Sequence, residues 1–235
     1  MVSDGRYVAD DEKFKEDAYL ALASRFTSRN DFENFYSTLN DLATKDEFLR
    51  TASFYLFMVK CGDWHVAVER SNAVIGYFTN SFKLVALFSV IESLSDKHYK
   101  DFYKWLSDEP QDSIFPINDK AALSELNERY KDKYGSIRRC KVFFENLPQC
   151  RQEVLCHSIK IDGQPLKSVK KVAEFLYDNR IKFVHEARLF SQIGDDNTAV
   201  LSMKGNKVVQ WELSIDVLFQ AFEEGLLAYF GCKNQ

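Results

Sequence analysis

Leu176-Tyr177-Asp178-Asn179-Arg180-Ile181-Lys182-Phe183-Val184-His185-Glu186 lies inside a longer run, Leu166 to Phe190, whose apolar residues recur at helical spacing. A helix is therefore expected from about Ser168 to Ser191. At about 100° per residue, Val172, Leu176, Phe183 and Phe190 share one stripe, and His185 points roughly opposite to Leu176 with Ile181 on its own side. The helix is expected to turn its stripe to a core and to carry His185 off that stripe, beside a small apolar patch suited to a seam between subunits. Arg180 stands five positions before His185. A guanidinium grips a phosphate through two parallel hydrogen bonds, and an imidazole that titrates near neutrality can take a proton from a ribose 2′-hydroxyl. The two groups together supply what RNA cleavage without a metal requires.

Spacing alone does not select this pair, because Arg151-Gln152-Glu153-Val154-Leu155-Cys156-His157 also sets a histidine a few residues after an arginine. Context separates the two. Arg180 and His185 share a long periodic segment, whereas His157 ends a short apolar piece and is followed by Ser158-Ile159-Lys160-Ile161-Asp162-Gly163, which alternates and then turns like a strand.

The phrase around Arg180 and His185 resembles the signature helix of the HEPN superfamily, of the Apea-like kind, in which Arg, four to six residues and then His often sit in a phrase such as Leu-Tyr-x-x-Arg-x-x-x-Val-His. Phe82 to Leu94, with Leu87-Phe88-Ser89-Val90-Ile91-Glu92-Ser93-Leu94, is similar to the first helix of some HEPN domains, where an acidic residue sits in an apolar helix. The resemblance implies a mainly α fold: a HEPN-like antiparallel helical bundle over residues 80–235, with an insertion between the two matching helices, preceded by an N-terminal helical extension over residues 1–79. It also implies a homodimer in which two Arg…His helices face one another across a cleft. His185 would then be general base or acid, Arg180 would hold the scissile phosphate, and Asn179 and Glu92 would support them, Glu92 by pairing with Arg180. The implied activity is a metal-independent endoribonuclease, in the manner of toxins and antiviral effectors. Ile181 departs from the pattern, since the position after the arginine is often polar, and Asn179 precedes the arginine instead. The alternative is a noncatalytic HEPN module that binds RNA, a nucleotide or a partner protein, such as an antitoxin or a minimal nucleotidyltransferase.

Charge distribution bears on the RNA expectation. The chain of 235 residues has a formal net charge of -4, but residues 129–188 hold 14 basic against 7 acidic side chains. Lys167, Lys170, Lys171 and Lys182 fall in that basic region and are the candidate contacts to a phosphate backbone. Hydrophobic residues at 46% and aromatic residues at 14% are ample for a sizeable core. With no apolar run long enough to span a bilayer and no secretory pattern after Met1, a cytoplasmic location is expected. The five cysteines are odd in number and irregularly spaced, so reduced thiols are expected and no metal or other cofactor is assigned. A Gly-rich phosphate loop, a His-Glu-x-x-His helix and a nucleophile elbow are all absent from the sequence, which removes the enzyme classes that depend on them.

Along the rest of the chain, helices are expected over Glu12–Phe26, over a segment capped by Asn30 with Phe32, Phe35, Tyr36, Leu39 and Leu42 on one stripe, and over Glu47–Val59. Trp64–Phe78 reads equally as helix or strand. Pro110 and Pro116 mark a loop over Glu109–Asn118, and one long helix is expected from Lys120 to Asn146. After a turn at Gly194-Asp195-Asp196-Asn197, a small β-hairpin is expected from Thr198–Met203 and Lys207–Leu213 around Lys204-Gly205-Asn206, followed by an amphipathic helix from Ser214 to Phe230.

Overall fold

Side-chain caps divide the N-terminal part of the chain into helices. The structure is a computed structural model that describes residues 8–9, 11–63, 75–94, 100–108, 119–186, 193, 200–204 and 206–231. Asp11, Ser28 and Asp41 accept hydrogen bonds from the backbone N–H groups of Lys13, Asp31 and Thr44, and so open α1 (Glu12–Leu22), α2 (Arg29–Thr38) and α3 (Leu42–Phe54). The cap of α2 is therefore Ser28 and not Asn30. Leu42 does not continue the α2 stripe either: Leu39 leaves the helix in an extended conformation, and Leu42 starts α3 with half its surface exposed.

α3 runs directly into a π-helical turn, Tyr55–Lys60, closed by a 2.8 Å bond from the Cys61 N–H to the Leu56 carbonyl. In an α-helix, residues 55 and 60 would lie about 140° apart. The wider i→i−5 turn stacks them on one side. Tyr55 and Lys60 consequently reach the same carboxylate, that of Glu223 on α10 (Ile215–Tyr229), each at 2.9 Å.

The middle of the chain supplies α4 (Ile75–Ser93), α5 (Phe102–Asp108), α6 (Lys120–Tyr134), α7 (Ser136–Glu145) and α8 (Gln149–His157). The single helix expected over residues 120–146 is two helices, because Gly135 takes an extended conformation and donates its N–H to the Lys131 carbonyl. α5 and α6 form a satellite outside the main core, in which the rings of Phe102, Trp105 and Tyr130 meet. The Arg151–His157 piece is α8, a short helix begun after Pro148.

The last third opens on a β-turn. Asp162 and Gly163 both have positive φ, which makes a tight hairpin between β1 (Ile159–Ile161) and β2 (Gln164–Pro165). The expected C-terminal hairpin is present as β3 (Val200–Lys204) and β4 (Lys207–Trp211), and β4 also pairs with β1. The result is a four-stranded antiparallel sheet in the order β2-β1-β4-β3. Ile159, Val209 and Trp211 face the core, while Leu201, Met203 and Val208 face solvent. α9 (Val169–Glu186) lies between the two hairpins in sequence and packs on α4, α7 and α8. The expectations for residues 64–74, for Glu109–Asn118, for the turn at residues 194–197 and for the end of α9 past Glu186 lie outside the described residues.

The chain is thus mainly α with one small sheet, and one apolar cluster runs from Ala18 through α4, α7 and α9 to Leu227 on α10. The boundary expected between residues 79 and 80 falls within α4. α10 crosses α7 closely at Gly225, where a Cβ would stand 2.4 Å from Cζ of Phe143, a ring stacked on Phe222. Gly225→Ala is expected to destabilise the fold by about 1–3 kcal/mol through overpacking. Thermal unfolding of the variant checks it, and adding Phe143→Leu should restore part of the loss.

Candidate active site

α4 and α9 pack antiparallel, as the ring pairs Phe82–Phe183 (5.0 Å) and Phe88–Tyr177 (5.7 Å) show. Val172 and Leu176 are fully buried, so the stripe read from periodicity is the face that α9 turns inward. Side chains on a helix lean toward its N-terminus. Arg180 accordingly reaches back over the Tyr177 ring, 5.2 Å from guanidinium carbon to centroid, and sets Nη1 3.4 Å from Oε1 of Glu92 and 3.3 Å from the Tyr177 hydroxyl.

This contact is half-buried, with about a fifth of each side chain exposed. Burial raises the Glu92 carboxyl above the ordinary glutamate range, against the opposing pull of Arg180, of a hydrogen bond with Tyr177 and of Arg139. Tyr177 is pushed up as well, mainly by burial. Oε1 of Glu92 and Nε of Arg180 are buried atoms that make no hydrogen bond. The guanidinium is therefore held by the charge of Glu92, by the Tyr177 ring face and by one hydrogen bond to the Tyr177 hydroxyl, with its Nε donor left over.

His185 stands apart from this group. It sits in the last turn of α9, exposed, without a hydrogen bond or ion pair among the described residues. Five helical residues place it about 140° around the axis from Arg180. Within one chain, then, Arg180 and His185 do not converge on a common point. On its own helix, Ile181 and Val184 are exposed apolar neighbours, 37% and 50%, beside the charged Lys182 and the exposed Glu186, while Phe82 packs on Phe183 on the opposite side of α9.

The other expected site residues divide in the same way. Glu92 is brought onto Arg180. Asn179 is not, because its side-chain amide donates to the Phe175 carbonyl of its own helix at 2.7 Å. The lysines do not form an open basic stripe. Lys170 pairs with Glu145, Lys171 with Glu174 and Lys182 with Asp178. Lys167 and Lys170 lie at the far end of α9, about 22 Å along the axis from His185 for Lys170. There they line a cleft of about 560 Å³ with His157, whose Nδ1 is 2.8 Å from the Glu153 carbonyl. Arg151 of that second pair is engaged elsewhere, donating two hydrogen bonds to Glu224.

Cys140 is buried, and burial raises its thiol far above the ordinary range; Cys150 is exposed and Cys156 half-buried. No group of three or more His, Cys, Asp or Glu side chains able to hold a metal occurs among the described residues, nor is any described helix long and apolar enough to cross a membrane.

One charged cluster escaped sequence reasoning. The Glu223 carboxylate on α10 is 4% exposed and accepts from Ser24, Arg25, Tyr55 and Lys60, while the neighbouring Glu224 takes Arg25 and Arg151. Burial acts to raise Glu223, but Lys60 and Arg25 outweigh it and hold the carboxyl below the ordinary range. The signal was present in α10: Glu223 is four residues after Phe219 and three and four before Leu226 and Leu227, on the apolar face itself. Comparison of the chain with protein-family models, with curated proteins and with solved structures finds no match.

Proposed function

We propose that this chain is a metal-independent endoribonuclease of HEPN type that acts as a two-fold dimer, with a role in toxin or antiviral defence systems. One observation carries the reading. Arg180 is oriented by Glu92 and Tyr177 while His185 stands exposed beside Ile181 and Val184, so the site is incomplete in one chain and a second copy would complete it. Across a two-fold axis Ile181 and Val184 of the two copies would cover one another, and both histidines would approach one cleft. His185 would act as base or acid on the 2′-hydroxyl and the leaving oxygen, and Arg180 would stabilise the charge that develops on the phosphate.

A second reading has an observation in its favour. Arg180 already carries an acidic partner, and Asn179 and three of the four candidate lysines are engaged within the chain. That arrangement suits a noncatalytic module that binds RNA, a nucleotide or a partner protein. Cleavage of a labelled RNA by the purified chain separates the two. Activity is expected to persist in EDTA and to leave 2′,3′-cyclic phosphate ends or their opened products, since the 2′-oxygen is the nucleophile. Activity lost with EDTA and restored by a divalent ion would overturn the assignment to α9, and a chain that binds RNA without cutting it would establish the second reading.

A further inference from the structure

Two arginine–carboxylate pairs of similar burial differ in how they close. Arg151 meets Glu224 through two hydrogen bonds of 2.9 and 2.7 Å, the fitted arrangement of a guanidinium on a carboxylate. Arg180 and Glu92 are buried to nearly the same degree, yet Nη1 stands 3.4 Å from Oε1, and Oε1 of Glu92 and Nε of Arg180 are left without a hydrogen bond. A buried ion pair offsets its lost hydration only when such atoms are satisfied. The contact is built to open.

The surroundings decide what moves. Tyr177 keeps its ring against the guanidinium and its hydroxyl 3.3 Å from Nη1, so Arg180 retains a support on its own helix if Glu92 turns away. Arg139 on α7 donates to the backbone carbonyl of Glu92 at 2.8 Å and ties down the end of α4, which leaves the motion to the side chain. The titratable groups that act on that side chain are Arg180 and Tyr177 from α9 and Arg139 and Cys140 from α7. Burial outweighs the three that favour the ionised form and holds the carboxyl above the ordinary glutamate range, while the Cys140 thiol is itself kept neutral by burial. A phosphate brought to Arg180 sets a second anion close to Glu92, and neighbouring like charges disfavour each other's ionised form.

We propose that Glu92 is an autoinhibitory latch on Arg180: ionised, it occupies the guanidinium against RNA, and it yields the guanidinium to the scissile phosphate by taking up one proton from solvent. The latch rests on the ribonuclease reading and adds a means of regulation to that site. It is closed above the Glu92 titration and open below it, since the carboxyl is neutral on the acid side. RNA binding and proton uptake therefore favour one another.

The test compares the binding of a short labelled single-stranded RNA, followed by fluorescence anisotropy, to His185→Ala, which removes the cutting group, and to the same chain carrying Glu92→Gln, a neutral isostere. At neutral pH the glutamine chain is expected to bind about tenfold more tightly, and the advantage should vanish in acid, where Glu92 is itself neutral. Other groups that titrate are common to both chains and cancel in the ratio. Equal or weaker binding by the glutamine chain at neutral pH, or an advantage that persists in acid, would overturn the latch and leave Glu92 as a support for Arg180. Cleavage by the wild type judges the ribonuclease reading separately. A protein that cuts RNA but shows no glutamine effect overturns the latch alone, and one that neither cuts nor binds RNA overturns both.

Discussion

RNA cleavage by the His185→Ala variant is expected to fall by about 10²–10⁴-fold, the range that a positioned acid–base group contributes. The fold should be untouched, since His185 is exposed in the last turn of α9 and has no bonded partner among the described residues. Arg180→Lys should also fall well below the wild type. It keeps the charge but loses the planar fork, and with it both the stacking on Tyr177 and the approach to Glu92. The molecule carries its own control in His157→Ala, which should cleave as the wild type does. His157 is bonded to its own helix, and its neighbour Arg151 is tied to Glu224. Rates measured on one labelled RNA, with circular dichroism of each variant, decide the matter. Wild-type cleavage by His185→Ala would sink the assignment, and loss in His157→Ala alone would move the chemistry to α8.

Glu223→Ala is expected to lower stability by about 3–5 kcal/mol, because it leaves Lys60 beside a buried vacancy without its counter-charge and Arg25 with Glu224 alone. For a chain of this size that is a fall in melting temperature of roughly 6–20 °C. Glu223→Gln keeps the shape and some hydrogen bonds and should lose less. The pH dependence has a definite sign. The Glu223 and Glu224 carboxyls are held below the ordinary range in the folded chain, so in acid the unfolded chain binds more protons than the folded one. Their stabilisation is complete above the ordinary carboxylate range and is lost as the pH falls through the depressed folded values. The melting temperature of the wild type should therefore drop in acid, and that of Glu223→Gln should drop less steeply. An alanine variant as stable as the wild type would show that the cluster contributes nothing net.

Much of the architecture was legible because it depends on neighbours in sequence. The stripe of Val172 and Leu176 placed the inward face of α9 and turned His185 away from it. Alternation around Lys204-Gly205-Asn206 located the C-terminal hairpin, and Ser214 marked the start of α10. The failures were local competitions decided by geometry. Ser28 prevailed over Asn30 as a cap because its hydroxyl reaches the Asp31 N–H, and Gly135 ended α6 where apolar spacing ran on unbroken.

In the candidate site, the sequence by itself determined the residue types and the face of the helix on which each stands, since both follow from composition and a period of about 3.6 residues. It could not determine which side chains meet. The contact of Arg180 with Glu92 spans 88 positions and exists only because α4 and α9 pack antiparallel; Asn179, one position before, turns to its own backbone instead. The π turn that lines up Tyr55 with Lys60, and the convergence of Arg25 and both those side chains on Glu223, likewise required the tertiary fold. Periodicity is set by backbone geometry within a few residues, whereas pairing of charges is set by which elements pack together and by how much water that packing removes, and no local pattern contains either quantity.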